Sequence, residues 1–255
     1  VATTASTDRL RRITEAVREA GSIGVAELAA LTGASEMTVR RDLEVLAGQG
    51  VLERYRGGAR SLLLRGEEPP FTLRAQEGIV AKRRIAAEVA GLLADGESVV
   101  LDSGTTCLEV ARAVAGRRLT VMPLSLHAVN ALTGAPQLTL LVPGGRPRPG
   151  ELALTGPLTQ ASVAALRFDT AVLGCCGLNA AHGLTAYDLD DATVKRAAIA
   201  SSRRIIAVAE ATKLTRTALA VVAPASSVDV VVTGEDAPEE ETDALTAAGV
   251  SVRRV

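Results

Sequence analysis

The stretch ASEMTVRRDLEVLAGQG, residues 34–50, reads as one amphipathic helix with its own start and stop signals. Ser35 is an N-cap, since its hydroxyl can accept from backbone N–H groups that a first helical turn leaves open. Met37, Val39, Leu43, Val45 and Leu46 supply the apolar positions, and Gly48 ends the run. Upstream, VAELAALTG (25–33) repeats the pattern in miniature, with Val25, Leu28, Ala29 and Leu31 inward and Gly33 as terminator. Before that, TDRLRRITEAVREAG (7–21) sets Leu10, Ile13, Val17 and Ala20 at helical spacing, with Thr7 or Asp8 as N-cap and Gly21 as stop. A short helix, the turn Thr32-Gly33-Ala34 and a longer helix make the helix-turn-helix rhythm, whose second helix enters the major groove by its N-terminal part. Its exposed set is Glu36, Thr38, Arg40 and Arg41, behind the cap Ser35.

The residues after this helix extend the pattern. VLERYRGGAR (51–60) alternates like a strand and turns at Gly57-Gly58 between arginines, as a wing does. Arg54, Arg56, Arg60 and Arg65 lie in a span without an acid, a local positive stripe on a chain of net charge −1. Arginine forks pair with phosphate or guanine edges. Two readings stand on periodicity and charge: a DNA-binding head, or a docking module whose Arg40 and Arg41 pair with Asp42 and Glu44 on the surface.

Resemblance separates them. The run from Gly24 to Ala59 closely resembles the N-terminal domain of DeoR-family bacterial transcriptional regulators. The family's Thr-(Val/Ile)-Arg-Arg-Asp-Leu occurs as Thr38 to Leu43, and its Gly-Gly-Ala wing as Gly57-Gly58-Ala59 after Tyr55-Arg56. The resemblance implies DNA contact by Ser35, Glu36, Thr38, Arg40, Arg41, Arg54, Arg56, Gly57 and Gly58.

With 255 residues, 47% of them apolar and 22% charged, the chain has room for two domains. Aromatics are 2% and tryptophan is absent, which argues against the stacking platforms of single-strand binders. Cys107, Cys175 and Cys176 lack metal-ligand spacing, and the last two sit in the apolar run TAVLGCCGL, so they read as buried small hydrophobes. His127 and His182, the only histidines, have no paired acid at a telling spacing, and no metal or cofactor is expected. No signal peptide or span of membrane length is visible, so the expectation is a cytoplasmic protein without a membrane partner.

Pro69-Pro70 favours an extended link, which sets the expected domains at 1–60, a linker at 61–76 and a larger domain at 77–255. In the larger part a helix restarts near Glu77 and runs to Gly96. Strand-like runs then follow: ESVVLD, LTVMPL, LTLLVPGG, DTAVLGC, RRIIAVAE, ALAVVAP, VDVVVTG and VSVRR. Helical runs at 105–115, 126–132, 155–166, 192–201 and 238–248 fall between several of them. Val/Ile/Leu runs with little alternation suit strands covered on both faces, so the fold class is layered α/β with a mainly parallel sheet, behind a winged helix-turn-helix.

Ligands bind such sheets at the carboxyl ends of strands. Those ends hold Asp102-Ser103-Gly104-Thr105-Thr106, Leu124-Ser125, Gly144-Gly145, Gly174 to Gly177, and Glu210 to Lys213. Glycines admit a ligand to the backbone, hydroxyls donate, and Lys213 offers a compact positive charge, so the set reads as a small-anion pocket. The resemblance continues here. LDSGTT, GGR at 144–146, GCCGL and ATVKRAAI resemble the family's effector-sensing domain, similar in fold to ribose-5-phosphate isomerase. It implies that Ser103, Gly104, Thr105 and Thr106 cradle a phosphorylated sugar or related metabolite, with Lys213 and Lys195 nearby. Two departures stand out: the family's Thr-Asn-Ser is Pro123-Leu124-Ser125, and its Asp-x-Ser-Lys element is Glu210-Ala211-Thr212-Lys213.

The expected function is a ligand-controlled transcriptional regulator, by family default a repressor of a carbohydrate or related operon. It would bind double-stranded operator DNA as a dimer or tetramer. The alternative is a sugar-phosphate enzyme of the same fold with a DNA-binding domain attached. Its proton-transfer candidates are Asp102, Asp188, Asp190, Asp191 and Glu210, of which Asp188 to Asp191 also suit a helix cap.

Overall fold

The computed structural model describes residues 4–48, 51–62 and 70–255, in two units, Val1–Glu77 and Gly78–Val255. The first holds α1 (Thr4–Ala20), β1 (Ser22–Gly24), α2 (Val25–Thr32), α3 (Glu36–Gly48), β2 (Leu52–Tyr55), β3 (Gly58–Ser61) and α4 (Phe71–Arg74). The three strands form an antiparallel sheet in the order β1-β3-β2. Ile13, Leu28, Val39, Leu43, Leu46 and Leu52 are fully buried between helices and sheet. Part of the stretch read as a linker, residues 63–69 with Arg65 and Pro69, lies outside the described residues. Pro70 precedes α4, and Leu73 of α4 joins the core of this unit.

Several expectations are corrected here. α1 begins at Thr4, so Thr7 and Asp8 lie inside the helix and neither is its cap. Leu31, Met37 and Val45 are exposed, not inward. The buried stripe of α3 is Val39, Asp42, Leu43 and Leu46, an i, i+3, i+4, i+7 set that leaves Met37 and Val45 on the opposite side. Asp42 thus occupies a core-facing position that the apolar pattern assigned elsewhere.

The second unit holds α5 (Ile79–Leu92), β4 (Ser98–Leu101), α6 (Thr105–Val114), β5 (Thr120–Pro123), α7 (Leu126–Leu132), β6 (Thr139–Leu140), β7 (Arg146–Pro147) and β8 (Leu154–Thr155). It continues with α8 (Pro157–Ala164), β9 (Phe168–Gly174), β10 (Gly177–Asn179), β11 (Gly183–Ala186) and α9 (Leu189–Ala200). β12 (Ser202–Ala209), β13 (Ala220–Ala223), β14 (Val230–Thr233), α10 (Glu239–Ala247) and β15 (Ser251–Arg254) complete it. Seven strands form a wholly parallel sheet in the order β15-β14-β12-β9-β4-β5-β6. Alternate residues enter two cores. Val99, Leu101 and Val172 face α5, α6 and α7, whereas Val100, Ala171 and Leu173 face α8, α9 and α10. That double coverage is why the strands are apolar without alternation.

The run ALAVVAP was expected in this sheet but forms β13 of a separate antiparallel sheet, β10-β11-β13. Helix α5 ends at Leu92, short of Gly96, and α9 starts earlier than expected, because Asp188 accepts the Asp191 N–H at 2.8 Å and caps it. Strands run outward from β4 through β5 to β6, and from β9 through β12 and β14 to β15. The order therefore reverses between β4 and β9, the crevice where open α/β sheets take ligands.

Candidate functional site

The first unit presents one face of α3. Ser35 caps this helix, its Oγ accepting from the Thr38 N–H at 3.2 Å and lying 2.9 Å from the Thr38 hydroxyl. Arg40 pairs with Glu36 one turn back at 2.8 Å. Behind this face, Arg9 of α1 grips Asp42, and Arg54 of the wing pairs with Glu44 at 2.8 Å. Among the described residues neither Arg41 nor Arg56 has an acidic partner, and both are exposed.

The wing is tied down at its turn. Gly57 has φ +95°, and its carbonyl accepts from the Val25 N–H at 2.9 Å, which joins the wing to the start of α2. Gly58 is buried, and a Cβ there would stand 2.5 Å from the Ile23 carbonyl and collide with the Tyr55 hydroxyl. Its side-chain-free surface therefore serves packing of β3 on β1. Of the residues named from sequence, Glu36, Arg40, Arg41, Arg54 and Arg56 are exposed, Thr38 is half-buried, and Gly58 is inside.

In the second unit the residues gather at the β4–β9 crevice. Asp102 follows β4 and accepts the Gly174 N–H, at the end of β9, at 2.9 Å. Its other partner is the ammonium of Lys195, which is also 3.3 Å from Asp191. All three side chains are buried or nearly so. Burial opposes the charge on Lys195, but Asp102 and Asp191 outweigh it and raise its pKa. Burial also raises the pKa of Asp102, against the pull of Lys195. Burial likewise pushes up the Cys107 and Cys175 thiols, so neither is a ready thiolate nucleophile.

Beside Asp102, Gly104 has φ +98° and precedes α6 without any side-chain cap. Ser103, Thr105 and Thr106 around it are buried hydroxyls. A helix start of this kind presents uncapped N–H groups and a partial positive charge. Gly174 is confined as well: a Cβ there would meet the Ser103 carbonyl at 3.2 Å.

Other predicted pocket residues hold their own surroundings together. Ser125 caps α7 through the Ala128 N–H. The Gly144 carbonyl accepts from Thr159 at 2.7 Å, and a Cβ on Gly145, at φ +134°, would collide with the same threonine. Gly177 lies in β10 against the Arg216 carbonyl. Lys213 is buried in the turn after β12. Leu124, where the family carries Asn, is 1% exposed and packs into the core.

The catalytic candidates each have partners. Asp188 caps α9 and lies 3.4 Å from Arg148, Asp190 pairs with Arg146 at 3.3 Å, and Glu210 with Lys82 at 3.4 Å. Lys82 was given no role from sequence, yet it is among the most buried side chains of the chain. The available signal was its place on the apolar stripe of α5 with Ile85, Ala86 and Val89. Among the described residues no group of three or more His, Cys, Asp or Glu could hold a metal ion, and no helix is long and apolar enough to cross a membrane.

Comparison with known proteins aligns with this division. The family model for the DeoR-like helix-turn-helix domain matches residues 9–63, and that for the DeoR C-terminal sensor domain matches residues 77–235. The putative aga operon transcriptional repressor of Escherichia coli O157:H7 is 30% identical over 98% of this chain and 94% of its own. The glycerol-3-phosphate regulon repressor of Haemophilus influenzae is 34% identical over 91% and 90%. Among solved structures, a ribose 5-phosphate isomerase from Methanocaldococcus jannaschii matches 52% of each chain at 14% identity with a TM-score of 0.39, too partial a likeness to carry chemistry across.

Proposed function

The chain belongs to the DeoR family of DNA-binding transcriptional regulators, and on that premise we propose that it is a metabolite-released repressor of a carbohydrate or related operon. In this reading residues 1–60 bind double-stranded operator DNA, 61–76 link, and 77–255 sense the effector and assemble a homo-oligomer, dimer or tetramer, in the cytoplasm. Ser35, Glu36, Thr38, Arg40 and Arg41 face base edges and the nearest phosphates, while Arg54, Arg56 and the Gly57-Gly58 turn lie along the backbone.

The effector is a phosphorylated sugar or similar small anion. The observation that carries this is the uncapped start of α6 at Gly104, ringed by buried hydroxyls beside the β4–β9 reversal. A phosphate accepts from open N–H groups and hydroxyls there, while the sugar lies along the strand edge toward Lys213. The Lys195 ammonium is balanced by two carboxylates, so it orders the Asp102 loop more than it supplies net positive charge. Release of DNA follows if the ligand binds the DNA-competent arrangement less tightly than the alternative one.

The test uses the full-length protein and an operator selected from random duplexes. Adding pentose, hexose and triose phosphates one at a time should release DNA for at least one compound, and Thr105→Glu should bind DNA but lose that response. An unchanged response in Thr105→Glu would falsify the phosphate cradle. The buried Asp102–Lys195 pair is the observation that favours an enzyme. Product analysis after incubation with the same phosphates decides it, since turnover lost in Asp102→Asn would establish catalysis.

A further inference from the structure

We propose that Met37 is a specificity-determining residue that reads the C5 methyl group of a thymine in the major groove. The proposal rests on the DNA-binding reading of the first unit and adds to it a residue outside the polar set. Met37 is the second residue of α3 and is 73% exposed, although it is apolar. The core side of α3 is filled by Val39, Asp42, Leu43 and Leu46, so Met37 has no place in it. It stands on the solvent side, one turn before Arg40 and Arg41, which are its i+3 and i+4 neighbours. Together with Thr38, Arg41 and Val45 it borders an open groove of ≈ 390 Å³ beside α1.

The chemistry follows from that position. The first turn of a recognition helix is the part that reaches base edges. In the major groove those edges carry hydrogen-bonding groups, and the thymine methyl is their apolar feature. A thioether on three rotatable bonds adapts to such a small apolar target and gains by shielding it from water. Arg40 and Arg41 flank Met37 with donors suited to guanine or phosphate, which sets an apolar reader between two polar ones. Glu36, held by Arg40, faces the same surface and disfavours a phosphate directly at that point.

The test replaces each thymine of the selected operator, one at a time, with deoxyuridine, which lacks only the methyl group. Burial of one methyl group is worth about 0.8 kcal/mol, so the wild-type protein should lose about four-fold in affinity at one thymine of each half-site. Met37→Ala and Met37→Gln should bind thymine and uracil equally at that position while melting at the wild-type temperature. Equal binding of every uracil duplex by the wild-type protein overturns the role of Met37 and leaves the DNA-binding reading intact. The same holds if the uracil penalty persists in both variants. A selection that enriches no sequence removes the DNA-binding reading, and this proposal with it.

Discussion

Arg9 of α1 holds Asp42 of α3 by both carboxylate oxygens, Nε to Oδ2 at 2.5 Å and Nη2 to Oδ1 at 3.2 Å. Asp42 is the acid of the Arg-Arg-Asp-Leu run, and it faces inward while the two arginines before it face out. The pair ties α3 to α1 alongside the core contacts of Val39, Leu43 and Leu46. Asp42→Ala should destabilise the first unit by about 1.5–3 kcal/mol, the usual worth of hydrogen bonds to a charged group. Hydrogen exchange of the α1 and α3 amides measures it. Arg9→Lys should recover less than half, since an ammonium cannot grip both oxygens; full recovery would show that only charge matters.

Arg41 and Arg56 should differ in what their loss does to DNA binding. Arg41→Ala should cost about 1–3 kcal/mol at the preferred operator and relax the choice at one base position. Arg56→Ala, at the wing turn, should weaken preferred and random duplexes alike and lower the salt slope by about one. Titrations at several salt concentrations separate the two, and identical salt slopes for wild type and Arg56→Ala would remove Arg56 from the phosphate contacts.

Lys195→Met should be among the most destabilising substitutions of the second unit. It leaves Asp102 and Asp191 buried without their cation, and breaking a buried pair from one side costs about 3–5 kcal/mol. The double variant Asp102→Asn with Lys195→Met should regain part of that loss, because one carboxylate is neutral again. Urea unfolding of wild type, single and double variants provides the comparison; strict additivity would mean the two side chains are not coupled.

Asp169 supplies an acid-sensitive increment. The Ser98 N–H at 3.0 Å and its hydroxyl at 2.8 Å both donate to Oδ2, and they hold the Asp169 pKa below its ordinary value. The unfolded chain therefore takes up this proton first, and stability falls with acid. The contribution is full above the ordinary aspartate pKa of about 3.9 and fades as the pH drops through the lower folded value. Urea midpoints of wild type and Asp169→Asn should differ at pH 7, and the difference should shrink steadily as the pH falls below about 4. A difference that stays constant over that range would assign the effect to packing.

The departure at Leu124 yields a prediction about stability as well as ligand choice. Leu124→Asn places an amide in an apolar core, which should cost about 1–3 kcal/mol unless the amide finds a partner at the pocket. A thermal melt with and without sugar phosphates distinguishes the outcomes, and a stability equal to wild type would show that the site readily accepts a polar group.

The parts of this molecule that were legible in the sequence are those fixed by local pattern. The strands around Val99–Leu101 and Ala171–Leu173 stood out because both faces are covered, so each needs an unbroken apolar run. Helix α7 matches the run read as 126–132, and the structure shows Ser125 capping its start. Strands β10 and β11 escaped notice because they have three and four residues, begin with glycine, and depend on a distant partner in β13. The inward turn of Asp42 rests on Arg9, 33 residues upstream, and the burial of Lys82 is matched by a carboxylate, Glu210, that enters from β12. No local window contains either pair. Met37 is apolar but stands six and nine residues before Leu43 and Leu46, off their face of the helix, so its residue type misled where the helical period points outward.

Gly78 is the first residue of the second unit, with φ +55°, and the Glu210 carboxylate oxygen lies 2.8 Å from where its Cβ would be. Glu210 follows β12, two strands from β4 on the same edge of the sheet as Asp102. The chain therefore enters this unit at the rim where its strands end, and not at the far side of the barrier formed by the sheet. Any side chain at position 78 would have to push the Glu210 carboxylate aside, so the entry of the chain into this unit and the end of β12 share one crowded corner.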